Sequence, residues 1–118
     1  RYRAGLDGIA GLSVVREPAG VDSSCQYFVV RIDAARFGCS RDVLFDALGR
    51  YNVFPRKYFH PLCTDYACYR ALPSSRPERL PVATVAATQV LCLPLYGTLP
   101  LDAVDAICEM IRSIQRQA

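Results

Sequence analysis

The chain has 118 residues, 52% apolar and 21% charged, proportions that fit one folded domain and exclude intrinsic disorder. Its net charge of +3 comes from thirteen arginines and a single lysine, Lys57, interspersed with acids rather than gathered in a basic stripe, so nucleic acid is not an expected partner. The longest apolar stretch, Val90–Tyr96, contains Pro94 and falls well short of the about 20 residues that cross a bilayer, so no membrane helix is expected either.

In chain order, Arg1–Leu6 reads as the end of a helix, and the segment lacks both an initiating Met and the apolar core of a signal peptide. The expectation is therefore either a trimmed chain or a domain excised from a longer protein. Leu12–Arg16 is a short strand ended by Pro18 and Gly20. Gln26–Asp33 is the clearest strand, with Phe28, Val30 and Ile32 on one face at period two. Ser40 caps a helix with Asp42 in its first turn. Val43, Leu44, Ala47, Leu48 and Tyr51 form its expected buried stripe, and Asp46 and Arg50 an i,i+4 pair. Val53–Pro61 is extended, and its prolines confine it to a sheet edge or a loop.

Leu62–Arg79 shows no period and reads as a long loop carrying Tyr66 and Tyr69, two aromatics able to stack on a ligand or to pack. Pro81 opens a helix through Gln89, Val90–Leu93 is a buried strand, and Leu101–Gln115 is an amphipathic helix. Its apolar stripe is Val104, Ile107, Cys108, Ile111 and Ile114. Asp102 and Asp105 complement its positive N-terminus. The expected class is α+β: a small, mostly antiparallel sheet packed against helices, in one domain spanning residues 1–118.

Six cysteines admit fifteen disulfide pairings, yet Cys92 and Cys108 sit in apolar segments where a free thiol behaves as a small hydrophobe. His60, Cys63 and Cys68 offer three soft metal ligands without a fourth, so no metal site is expected, and reduced thiols suit a cytoplasmic protein. Glycine-rich phosphate loops and nucleophile motifs are missing. The densest polar cluster is Arg56-Lys57-Tyr58-Phe59-His60. At period two Arg56, Tyr58 and His60 share a face, presenting a forked donor, a phenol and an imidazole, and adjacent Arg and Lys suit a phosphate. The same residues also describe a solvated edge strand whose charges prevent aggregation. If the chain used pyridoxal phosphate by itself, Lys57 would have to form the Schiff base.

The run Tyr51-Asn52-Val53-Phe54-Pro55-Arg56-Lys57-Tyr58-Phe59-His60-Pro61-Leu62 resembles the "YN-F-RRYFYPL" stretch of the DegT/DnrJ/EryC1/StrS aminotransferases. The segments GLSVVRE and YFVVRID, the Tyr69–Pro73 element, Leu80–Ala83 and Val90–Leu99 follow in the order of that family, the last resembling its "LPLYP-L" signature. The resemblance implies the C-terminal small domain of a fold-type I, pyridoxal-phosphate-dependent enzyme that aminates a nucleoside-diphosphate-linked keto sugar. It implies a homodimeric parent, with the cofactor lysine and the other cofactor-binding groups in a large N-terminal domain. Lys57 then aligns with the Arg/Lys-Tyr-Phe element and not with the cofactor lysine, so no cofactor is expected on this chain. Arg56, Lys57, Tyr58 and His60 become the implied contacts to the nucleotide-sugar substrate, with His60 departing from the aromatic residue often found there. The alternative is a free-standing, non-catalytic module for binding or dimerisation.

Overall fold

A computed structural model describes all residues, 1–118. Four strands form one antiparallel sheet in the order β1-β2-β4-β3: β1 is Leu12–Val14, β2 Phe28–Ile32, β3 Arg56–Lys57 and β4 Val90–Leu93. The helices are α1 (Tyr2–Gly5), α2 (Ala34–Phe37), α3 (Arg41–Arg50), α4 (Pro81–Gln89) and α5 (Leu101–Gln117). This is the expected α+β arrangement of a small antiparallel sheet with helices.

Register explains the core. Directly opposed residues of an antiparallel pair share a face. Val14, Val30 and Leu91 are opposed in turn, as are Leu12 with Ile32 and Phe28 with Leu93, so one face is continuously apolar. Val30, Ile32, Leu91 and Leu93 on that face are buried, in one cluster with Leu44 and Leu48 of α3 and Val104, Ile107, Cys108 and Ile111 of α5. The other face carries Ser13, Val29, Arg31, Cys92 and Arg56.

Local chemistry sets the helix ends. Ser40 accepts a hydrogen bond from the Val43 amide at 3.2 Å, the expected N-cap of α3. The one-turn helix α2 was not expected, although its signals are present: Asp33 accepts from the Ala35 amide at 3.1 Å, and Gly38 closes the turn at φ 103°, a left-handed conformation favouring glycine. Two residues of the expected α3 stripe lie outside: Val43 is 53% and Tyr51 59% exposed. α3 buries only Arg41, Leu44 and Leu48 fully, and Tyr51 is its C-cap, beyond the last helical residue. Asp46 and Arg50 form no ion pair; Asp42 is the acid of α3 that does. The 62–79 loop is broken into three 3₁₀ turns at Cys63–Asp65, Pro73–Ser75 and Pro77–Arg79. They are closed by local bonds such as the Ser75 hydroxyl donating to the Tyr69 carbonyl at 2.8 Å. No helix is long and apolar enough to cross a membrane.

Candidate functional site

The edge strand β3 is two residues long, and alternation sends its two cations to opposite faces. Lys57 pairs with Leu91 and lies on the helix side, whereas Arg56 pairs with Cys92 and lies on the other. Arg56 is exposed and takes part in none of the four ion pairs of the molecule. It lines a cavity of about 350 Å³ together with Gln26, Tyr27, Phe54, Cys92 and Tyr96. A second cavity of about 360 Å³ adjoins it, sharing Phe54, Pro94 and Tyr96, and continues over Leu99, Met110 and Ile107 of the α5 side. The two together form a trench with a guanidinium at one end and an apolar floor at the other. Phe54 and Tyr96, 70% and 57% exposed, stand along it.

Lys57 is engaged elsewhere. Its ammonium lies 2.6 Å from Oδ1 of Asp42 and 4.8 Å from the ring centroid of Phe45, both on α3. The Lys57 ammonium, followed by the Arg41 charge, holds the Asp42 carboxyl below its ordinary value. Tyr58 follows the strand and packs against Tyr27 at 5.2 Å between ring centroids, touching the residue that walls the Arg56 cavity. It also meets Phe59 at 4.1 Å. His60 does not share this face. Regular strand ends at Lys57, Phe59 takes a positive φ of 44°, and His60 lies at a separate small cavity beside Leu62, Asp65 and Ser75. Of the four expected contacts, the fold brings Arg56 and Tyr58 to one place, turns Lys57 inward and sets His60 apart.

His60, Cys63 and Cys68 do not gather into a group that could hold a metal ion. Cys92, beside Arg56, is buried, and burial pushes its thiol above the ordinary value despite the opposing effect of the Arg56 charge. It is therefore a neutral packing group rather than a nucleophile. Lys57 does not fit the role of an amine condensing with pyridoxal phosphate. That role needs a deprotonated amine facing a cofactor cavity, and this ammonium is spent on a carboxylate and an aromatic ring.

The residues that sequence reasoning passed over are Gln26, Tyr27, Phe54 and Tyr96, which wall the trench, and Asp42, which takes Lys57. Phe54 and Tyr96 carried a signal, as large aromatics beside Pro55 and Pro94 in segments too interrupted to be core.

Comparison with known proteins agrees with this architecture. Residues 1–112 match the DegT/DnrJ/EryC1/StrS aminotransferase family. The dTDP-4-amino-4,6-dideoxy-D-glucose transaminase of Escherichia coli is 36% identical over 110 residues, 93% of this chain. DesI, crystallised with its TDP-sugar product, superposes with a TM-score of 0.80 at 26% identity over 97% of the chain. The aminotransferase TlmJ of Streptoalloteichus hindustanus does so at 0.79 and 29% identity over the whole chain. The chain spans about 29% of the Escherichia coli relative, 28% of DesI and 30% of TlmJ. The chain belongs to the DegT/DnrJ/EryC1/StrS aminotransferase family.

Proposed function

We propose that these 118 residues are the C-terminal, substrate-side domain of a longer enzyme that transfers an amino group to a keto sugar linked to a nucleoside diphosphate. The observation that carries this reading is Arg56: an exposed guanidinium with no carboxylate partner, at the end of an aromatic-walled trench, in a chain whose relatives include a dTDP-sugar transaminase. An unneutralised fork of N–H donors suits a diphosphate, and apolar and aromatic walls suit the flatter parts of such a ligand. Tyr58, braced on Tyr27, supports the same wall, whereas His60, at its separate cavity, stands outside this grip. Pyridoxal phosphate, held by the remainder of the longer protein, supplies the electron sink through which an amino group is exchanged. This domain's own part is to bind the substrate, orient it and cover the site.

The test is to incubate the longer protein and an amino-acid donor with a panel of nucleoside-diphosphate keto sugars, a dTDP-linked 4-keto-6-deoxyhexose first, and to follow aminated product by mass. An aminated nucleotide sugar is the expected result. Failure of every substrate with cofactor-loaded protein overturns the reading in favour of a non-catalytic binding or dimerisation module.

A further inference from the structure

One carboxylate oxygen joins three elements. Oδ1 of Asp42, in the first turn of α3, takes the Lys57 ammonium of β3 at 2.6 Å and lies 3.0 Å from Nε of Arg41. The Arg41 side chain is 1% exposed, and its Nη1 donates to the Val90 carbonyl at the start of β4 at 2.9 Å. Its Nε points off the Asp42 oxygen at an angle that makes no hydrogen bond, so Asp42 serves that buried cation through charge. β3 itself has only two residues and one neighbouring strand, so its ladder fixes it weakly. The Lys57 stem lies inward on α3, and alternation then leaves Arg56 facing the trench.

We propose that Asp42 is a positioning residue, holding β3 against α3 through Lys57 so that Arg56 is presented to the substrate, and that Lys57 acts through this pair and not by touching substrate. The inference rests on the substrate-side reading for Arg56; the Asp42–Lys57 latch itself does not.

Two measurements test it. Lys57 is the only lysine of these 118 residues, so in the longer protein acylation by an amine-reactive ester, mapped by peptide mass, reports it on the peptide that carries it, with the other acylated peptides as internal reference. An ammonium bonded to a carboxylate must leave it to react. Asp42→Asn is expected to speed acylation of Lys57 about two- to fivefold relative to the reference, the range that a partly exposed ion pair corresponds to. An unchanged ratio overturns the latch. In the longer enzyme, Asp42→Asn and Lys57→Met are each expected to raise KM about two- to fivefold with kcat within twofold. The double variant is expected to do no worse than either alone, and Lys57→Arg, which keeps the pair, to stay near the parent. Multiplying KM effects in the double variant, or a Lys57→Met effect far above that of Asp42→Asn, would show Lys57 contacting substrate itself and overturn the proposal. If acylation responds as expected but Arg56→Ala leaves KM unmoved, the latch stands and the substrate-side reading of Arg56 fails.

Discussion

Arg112 closes the C-terminus of α1 at Gly5: its Nε donates to the Gly5 carbonyl at 3.0 Å, and its Nη2 reaches the Asp7 carbonyl at 2.8 Å. A helix end leaves carbonyls without partners, and a guanidinium from another helix satisfies two here while favouring the negative end of the dipole. With Tyr2 buried on α1, stacked on Phe28 at 4.8 Å and donating to the Pro94 carbonyl at 3.0 Å, this docks the first turn onto the sheet and α5. Arg112→Ala is expected to lower stability by about 1–3 kcal/mol, the range for charged hydrogen bonds whose partners are left behind. Arg112→Lys should recover only part, because an ammonium cannot fork between two carbonyls. Urea midpoints at constant m-value measure both; a loss below about 0.5 kcal/mol for Arg112→Ala would count against the cap.

Gly5 itself is expected to resist substitution. Replacing a helical glycine by alanine ordinarily stabilises by about 0.5–1 kcal/mol. Here a Cβ would stand 2.6 Å from Cys108 Sγ and 3.0 Å from its Cβ, inside the core. Gly5→Ala should therefore destabilise by about 1–3 kcal/mol, and adding Cys108→Ala should restore part of that by removing the sulfur. A stabilised Gly5→Ala single variant would show that α1 moves freely.

The thiols are expected to divide by burial. Cys25, Cys63 and Cys68 are exposed, Cys39 is half-buried, and Cys92 and Cys108 are buried with thiols pushed up by desolvation. An aromatic disulfide reagent should modify three cysteines rapidly in the folded protein and all six after denaturation in the absence of reductant. Fewer than six in the denatured chain would indicate disulfides or a bound metal.

Stability should fall on the acid side. Lys57 holds Asp42, and Arg1 holds Asp105, below the ordinary carboxylate range; Glu17 is lowered by its own backbone amide and by Arg3. A carboxyl whose folded value is depressed contributes stability that is full above its unfolded value, near 3.8 for aspartate, and lost as pH falls through the folded one. The melting temperature is therefore expected to drop as pH is lowered from about 5 towards 2, and Asp42→Asn should flatten part of that slope. These carboxylates are largely exposed, so added salt should weaken the effect. A melting temperature independent of pH across this window would contradict the pairing.

Much of this architecture is legible in the chain because periodicity reports burial. Phe28, Val30 and Ile32 at period two and Val104, Ile107, Cys108 and Ile111 at helical spacing all point to the core they occupy. Periodicity fails where the partner surface decides. Val43 and Tyr51 continue the α3 stripe on paper, but Val43 lies off the buried face of Arg41, Leu44 and Leu48, and Tyr51 is the C-cap, past the last helical residue. Arg41 looks like a solvated residue at a helix start and is instead among the most buried side chains, because Asp42 and the Val90 carbonyl compensate its charge. For the candidate site, the sequence shows a dense polar cluster at residues 56–60 but not the directions its side chains take. Local alternation cannot foresee that the strand stops after Lys57, which separates His60 from Arg56.

The proposed substrate grip is open to direct measurement in the proposed longer enzyme. If Arg56 binds the diphosphate, Arg56→Ala removes a charge-assisted contact worth about 1.5–3 kcal/mol, so KM should rise about ten- to a hundredfold. A contact remote from the reacting carbon is made equally in ground and transition states, so kcat should change little. Tyr58→Phe removes only a hydroxyl from a ring that stays packed on Tyr27, and should cost less than Arg56→Ala. The competing account, an edge strand β3 kept soluble by its charges, expects unchanged kinetics and a protein more prone to aggregate. Steady-state kinetics on the two variants separates these accounts: KM values within twofold of the parent for both would remove Arg56 and Tyr58 from the substrate site.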